Sequence, residues 1–234
     1  MLPPPSQTTP DAGAIIVAGG RGVRAGEGEP KQFRPIGGVP MLLRALRPFT
    51  SHPRVGPIVV VLPAANAANV PEWLAPLVSQ RLRLAVGGAE RQHSVAAGLA
   101  LLGAEAKLVL VHDAARPLVD ADLIDRVLAV AALGACAVPA LPISDTIKET
   151  DAAGLVQRTV PRERLVTVQT PQAFPRELLE MAHQRARSDA LPSATDDAAL
   201  CERLGFPVRV VAGSPRNIKV TTADDFVVAE ALVK

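Results

Sequence analysis

Apolar runs of strand length recur at residues 14–18, 57–62, 82–86, 107–112, 136–140 and 207–211. Between the first five lie Ala- and Leu-rich or amphipathic stretches of helical length, at 40–49, 66–79, 90–102 and 120–133. In the third of these, Val95, Ala96, Leu99 and Leu102 share one helical face. Strand, helix, strand, repeated, builds right-handed crossovers and a mostly parallel sheet covered by helices on both faces. The expectation is an α/β chain of Rossmann-like, three-layer build. Ligands of such sheets bind beyond the carboxyl ends of the strands, and the unusual residues fall there. The first run ends in a loop holding Gly19, Gly20, Gly22, Gly26 and Gly28. The third ends in Gly87-Gly88-Ala89-Glu90-Arg91, followed by Ser94, and the fourth in His112-Asp113-Ala114-Ala115-Arg116-Pro117. A late segment, Asn217-Ile218-Lys219-Val220-Thr221, also follows a strand and a turn. All four converge on one crevice if the sheet forms as expected.

The glycine loop names a ligand chemistry. Glycines let a backbone turn sharply and bring its N–H groups close to a ligand, and successive N–H groups aimed into one concavity bind anions. Arg21, Arg24 and Lys31 add cations, so the loop suits a polyphosphate. A dinucleotide fingerprint is the rival reading, since Gly20, Gly22 and Ala25 fit G-x-G-x-x-A. That fingerprint requires a helix to start at once and an acidic residue to close the next strand. Gly26, Gly28 and Pro30 keep the chain irregular, and Leu62 and Pro63 stand where the acid belongs.

The rest of the chain excludes several functions. A net charge of +2 gives neither a nucleic-acid tract nor a membrane-binding face. Five Phe, one Trp and no Tyr argue against a base-stacking single-strand binder. Cys136 and Cys201 are too few for a disulfide framework and lack metal-ligand spacing, so both read as core. Residues 1–12 read as a disordered tail, without the basic end and apolar stretch of a signal peptide. The uncharged run around Gly134, Pro139 and Pro142 is too broken to span a bilayer, so a soluble, cytoplasmic protein is expected. After Pro142, two β-prone stretches (144–149 and 155–159) flank a turn at Thr150-Asp151-Ala152-Ala153-Gly154. They predict a β-hairpin arm over about 143–163, projecting from a single domain at 13–234. An isolated hairpin is marginal in water, so a second subunit is its expected partner.

The motifs follow one family in order: the glycine loop ending in Pro30-Lys31-Gln32-Phe33, Gly87-Gly88-x-Glu90-Arg91-x-x-Ser94, and His112-Asp113-Ala114-Ala115-Arg116-Pro117. Asp145-Thr146-Ile147-Lys148, Gln169-Thr170-Pro171-Gln172-x-Phe174, Thr195-Asp196-Asp197 and Asn217-Ile218-Lys219-Val220-Thr221 complete the set. The chain resembles the 2-C-methyl-D-erythritol 4-phosphate cytidylyltransferases over about residues 13–234, with no sign of a fused downstream cyclase domain. The resemblance implies a nucleotidyltransferase fold and CMP transfer from CTP to methylerythritol phosphate. A phosphate monoester is largely dianionic near pH 7, so its oxygen needs no general base, and catalysis rests on positioning two anions and neutralising charge. By the same resemblance Arg24, Lys31 and Lys219 are the catalytic cations. CTP is held by Ala18, Gly19, Gly20, Gly22, Gly87, Gly88, Ser94 and Asp113, and Asp113 also holds Mg2+. Thr146, Arg162, Thr170 and Thr195 hold the second substrate, with Thr146 and Arg162 reaching the partner's site in a homodimer.

His112 reads as buried structure and Arg116 as a loop or phosphate anchor, while His52, His93 and His183 carry no partner signature. Ala25 stands where the family usually has Met, His93 where Asp is common, and Arg216 where some relatives carry an acid. That leaves Asp113 as the sole carboxylate assigned to the metal. The rival readings are a ribitol-5-phosphate cytidylyltransferase, a UTP- or GTP-dependent sugar-phosphate nucleotidyltransferase, and a nucleotide-sensing module without turnover.

Overall fold

The computed structural model describes residues 9–19, 30–189 and 192–234. Its centre is an eight-stranded sheet. Strands β1 (Ala12–Val17), β4 (Val55–Leu62), β5 (Leu82–Val86) and β6 (Leu108–Asp113) run parallel, in the order β6-β1-β4-β5. Beyond β6 comes β11 (Gln172–Pro175), antiparallel to β6 and to β7 (Cys136–Pro142). β10 (Val166–Val168) pairs antiparallel with the end of β7, and β12 (Val208–Ala212) runs parallel to β7 as the last strand on that side.

Side chains alternate across each central strand, because successive residues of a strand point to opposite faces. Ala14, Ile16, Ile58, Val60, Leu108 and Leu110 pack with Leu42, Leu46 and Phe49 of α1 (Met41–Ser51) and with Leu123, Ile124, Val127 and Leu128 of α4 (Ala121–Ala131). Ile15, Val59, Val61, Val109 and Val111 pack on the opposite face. There they meet α3 (Arg91–Leu101), α5 (Arg176–Ser188) and α6 (Asp197–Arg203). The three-layer expectation holds, and it explains the continuous apolar runs: strands buried on both faces have no polar face to show.

Four local expectations need correction. The single helical stretch over 66–79 is a short helix α2 (Ala64–Ala68) and a 3-10 turn (Ala75–Leu77). Pro71 lies between them, and proline lacks the N–H that a helix interior needs. Residues 11 and 12 belong to the fold rather than to the expected tail, whose residues 1–8 lie outside the described residues: Asp11 pairs through both carboxylate oxygens with Arg54 (3.0 and 2.7 Å) and Ala12 opens β1, fully buried. The antiparallel β11 had no counterpart among the apolar runs. His183 has a partner after all, a buried bond from Nε2 to Asp197 Oδ1 at 2.9 Å.

The hairpin forms as expected, from β8 (Ile147–Thr150) and β9 (Val156–Val160), as a sheet of its own. Asp151 organises its turn, accepting from the N–H groups of Ala153 and Leu155 and from Gln157 Nε2. Gly154 completes the turn with a φ of +84°, which an L side chain rarely adopts. β2 (Pro35–Ile36) pairs with β3 (Val39–Pro40), and a small apolar cluster of Ile36, Met41, Val220 and Phe226 joins β2 and the start of α1 to α7 (Ala223–Leu232). Among the described residues no helix is long and apolar enough to cross a membrane.

Candidate active site

The carboxyl ends of β1, β5 and β6 carry Gly19, residues 87–91 and residues 113–117, the starts of three segments singled out above. The first and second meet closely: a Cβ on Gly87 would lie 3.0 Å from Ser94 Oγ and 3.4 Å from Gly19 Cα. Two glycine backbones therefore abut, and a side chain at Gly87 would press on both neighbours. Ser94 Oγ accepts from Gly88 N–H and donates to Glu90 O, both at 3.1 Å. A hydroxyl keeps a second acceptor lone pair, which is the kind of group an exocyclic amine requires. Ala18 O already accepts from Gln32 Nε2 at 2.9 Å, so its second lone pair is the one left for a base.

Asp113 closes β6 with its side chain almost wholly buried. Its Oδ2 accepts from Lys219 Nζ at 2.8 Å and its Oδ1 from Arg91 Nε at 3.1 Å. Burial alone would raise the Asp113 carboxyl, but the charges of Arg91 and Lys219 outweigh it and hold the group ionised, well below the usual carboxylate range. Lys219 is anchored from both sides. Val220 N–H donates to Ala115 O at 2.8 Å, and Asp225 Oδ2 accepts from Thr221 and Thr222 in the capping box that starts α7. Those bonds draw the Asp225 carboxyl down to about 2. Lys31 comes in from the other side, donating from Nζ to Val220 O at 3.0 Å. Two of the expected cations thus flank one short segment, beside the expected carboxylate.

Beneath Asp113 lies a chain of hydrogen bonds. Asp113 N–H donates to Thr170 Oγ1 and Thr170 Oγ1 meets His112 Nδ1, both at 3.0 Å. His112 Nε2 lies 3.1 Å from the Arg116 carbonyl. A carbonyl only accepts, so Nε2 carries the proton, and in the neutral ring Nδ1 receives the Thr170 hydroxyl. His112 is fully buried and neutral, since burial pulls its imidazole down to about 4. Thr170 is thereby engaged inside the protein, 5 % exposed. Arg116 donates to the carbonyls of Asn217 and Val168, so it anchors loops.

The remaining residues spread along the rim. Thr195 is exposed just before α6, whose cap is Asp196, accepting from Ala199 N at 2.9 Å. Thr146 is exposed at the root of the hairpin, where Arg162 donates to Ser144 O. Arg24, Gly20 and Gly22 lie outside the described residues. One feature was not assigned from sequence: Arg91 bridges Asp113 to Asp197, with Nη1 2.5 Å from Asp197 Oδ2. All three residues sit in quoted motifs, but nothing in their spacing brings 91, 113 and 197 together.

A divalent cation fits this donor set in one way. Among the described residues no three His, Cys, Asp or Glu side chains gather as a metal cluster. Mg2+ is commonly held by one or two carboxylates, with phosphate and water oxygens completing its shell. Asp113, ionised and with lone pairs beyond those taken by Arg91 and Lys219, is such a carboxylate.

A doubly covered, mostly parallel sheet with abutting glycines at Gly19 and Gly87, two lysines and a buried carboxylate beyond its strand ends defines a protein of nucleotidyltransferase type. A sequence model of 2-C-methyl-D-erythritol 4-phosphate cytidylyltransferase matches residues 12–234. The bifunctional enzyme IspD/IspF of Rhodopseudomonas palustris (strain BisB5) is 45% identical over 224 residues, which are 95% of this chain and 56% of that protein. The crystal structure of 2-C-methyl-D-erythritol 4-phosphate cytidylyltransferase from Thermus thermophilus is 38% identical with a TM-score of 0.77, covering 94% of this chain and 97% of that one. The 4-diphosphocytidyl-2C-methyl-D-erythritol synthase of Anaerococcus prevotii is 27% identical with a TM-score of 0.82, covering 96% and 99%. The chain belongs to the 2-C-methyl-D-erythritol 4-phosphate cytidylyltransferase family. It spans about half the length of the curated relatives it matches.

Proposed function

We propose that this chain transfers CMP from CTP to 2-C-methyl-D-erythritol 4-phosphate, giving 4-diphosphocytidyl-2-C-methyl-D-erythritol and pyrophosphate. The observation that carries this reading is the convergence of Lys31 and Lys219 on one segment beside the ionised Asp113. A phosphate oxygen of the acceptor attacks the α-phosphorus of CTP, a new O–P bond forms, and the bond to the β-phosphate oxygen breaks. Lys31, Lys219 and Arg24 neutralise the charge that builds on the α-phosphate. Preorganised cations of this kind are worth about 10³-fold or more in rate. Lys219, with its side chain 46% exposed, is the one able to turn from Asp113 toward a substrate. Mg2+, held by Asp113, would clamp triphosphate oxygens and stabilise the departing pyrophosphate.

The Gly19–Gly87 contact and Ser94 support a flat pocket for cytosine, told from uracil by its exocyclic donor. Thr146, Arg162 and Thr195 hold the acceptor. Thr170 acts from beneath by fixing Asp113 and His112. The exposed hairpin docks on a second copy, which brings Thr146 and Arg162 to the partner's site.

The test is a parallel assay of pyrophosphate release from CTP with methylerythritol phosphate and with ribitol 5-phosphate. Turnover with the first alone supports the reading. Preference for ribitol phosphate overturns the acceptor, and CTP binding without release from either overturns the reaction.

A further inference from the structure

The carboxylate beneath the reaction is itself held by a relay that neither substrate is required to touch. From α5, His183 Nε2 lies 2.9 Å from Asp197 Oδ1, and Asp197 Oδ2 lies 2.5 Å from Arg91 Nη1. Arg91 Nε then reaches Asp113 Oδ1 at 3.1 Å. Asp197 is 1 % exposed. Burial raises its carboxyl, while Arg91 and His183 more than offset this, so it is ionised like Asp113.

We propose that Asp197, braced by His183, is a positioning residue that acts through Arg91 to fix the orientation of the Asp113 carboxylate. This rests on the functional reading above. Three observations separate it from a role as plain structural glue. First, α6 does not need Asp197 to stay in place. Asp196 caps it, Gln172 bonds both Asp196 and Ala198 N, and Leu200 and Cys201 are buried in the core. Second, Arg91 leaves its Nη2 buried with no partner among the described residues. An unpaired buried donor costs free energy, so its placement favours the two carboxylates over full satisfaction. Third, the two cations on Asp113 differ in freedom. The Arg91 side chain is 23% exposed and that of Lys219 is 46% exposed. When Lys219 turns to the α-phosphate, Arg91 is the counter-ion that remains, and Asp197 keeps it from following.

The role is one step removed from the chemistry, as with groups that orient metal ligands, whose loss costs about 10- to 100-fold in affinity or activity. The experiment compares Asp197→Asn, Arg91→Lys, their double variant and His183→Gln with the parent protein. Three quantities are read: kcat at saturating substrates, the thermal midpoint, and the Mg2+ concentration giving half-maximal CTP binding by calorimetry. Asp197→Asn keeps the shape and removes the charge. It is expected to fold, to lose about 10- to 100-fold in kcat, and to need correspondingly more Mg2+. Arg91→Lys keeps the charge but cannot bridge two carboxylates, so it shows the same loss. The double variant is no worse than either single one, because the residues act in series. A folded Asp197→Asn protein with parental kcat and Mg2+ requirement, or losses that multiply in the double variant, would overturn the proposal. Should Asp197→Asn fail to fold, His183→Gln decides: lower kcat at an unchanged thermal midpoint supports positioning, and parental kcat rejects it. A parent protein without cytidylyl transfer sinks the functional reading, while the Mg2+ arm still decides whether Asp197 positions Asp113.

Discussion

His112 shows how a single residue ties stability to the site. Its imidazole is enclosed, stacked at a tilt on Phe49 with ring centroids 5.1 Å apart, and bonded on both nitrogens, to the Arg116 carbonyl and the Thr170 hydroxyl. Burial depresses its pKa from the ordinary 6.5 to about 4. Between those values the unfolded chain takes up a proton that the folded chain refuses. Stability from this group is therefore full above pH 6.5 and is lost as pH falls toward 4. The loss is on the order of 3 kcal/mol. An NMR titration of the His112 ring is predicted to show a midpoint near 4 in the folded protein. A midpoint near the ordinary value would contradict both the tautomer and the relay to Thr170. Asp113, one residue on, has the opposite chemistry: its carboxyl is depressed by Arg91 and Lys219, so its contribution persists until pH falls below the ordinary carboxylate range.

At the scale of elements, α3 is set by a missing side chain. A Cβ on Gly98 would lie 2.6 Å from Ile15 Cγ2 and 3.1 Å from Val61 Cγ2, so the helix rests directly on β1 and β4. Gly98→Ala gains helix propensity of at most about 1 kcal/mol but overpacks the layer by about 1–3 kcal/mol. Net destabilisation of about 1 kcal/mol is predicted by urea unfolding, and stabilisation would contradict the close packing. Because α3 also carries Arg91 and Ser94, its depth sets two parts of the site at once. Much of this architecture was legible in the sequence. The central strands announced themselves as continuous apolar runs because both their faces are covered. β11 did not, being four residues long with Pro171 before it and Pro175 at its end. Its existence depends on β6 and β7 already flanking it. The glycine turn at Gly87 and the carboxylate at Asp113 were legible from their places after strands, while the cytosine and acceptor roles came only through the family resemblance. The Arg91–Asp197–His183 relay was not legible, since it joins three helices across 106 and 14 residues of sequence with no local pattern.

Across the whole molecule, the hairpin is the feature that one chain leaves unexplained. Leu155 and Val156 are 67% and 59% exposed, and the arm forms a two-stranded sheet apart from the central one. If Arg162 serves the partner's site, Lys31→Ala and Arg162→Ala proteins, each inactive alone, recover part of the activity when mixed under subunit exchange. No recovery despite exchange would contradict shared sites. The central claim is that positive charge is gathered around the phosphorus nearest the cytidine, so that one anion displaces another. A structure of the chain with Mg2+ and a non-hydrolysable CTP analogue tests it most directly. The account predicts α-phosphate oxygens within about 3 Å of Lys31 Nζ and Lys219 Nζ, with Asp113 on the metal. A nucleotide bound with its α-phosphate beyond reach of both lysines would contradict it.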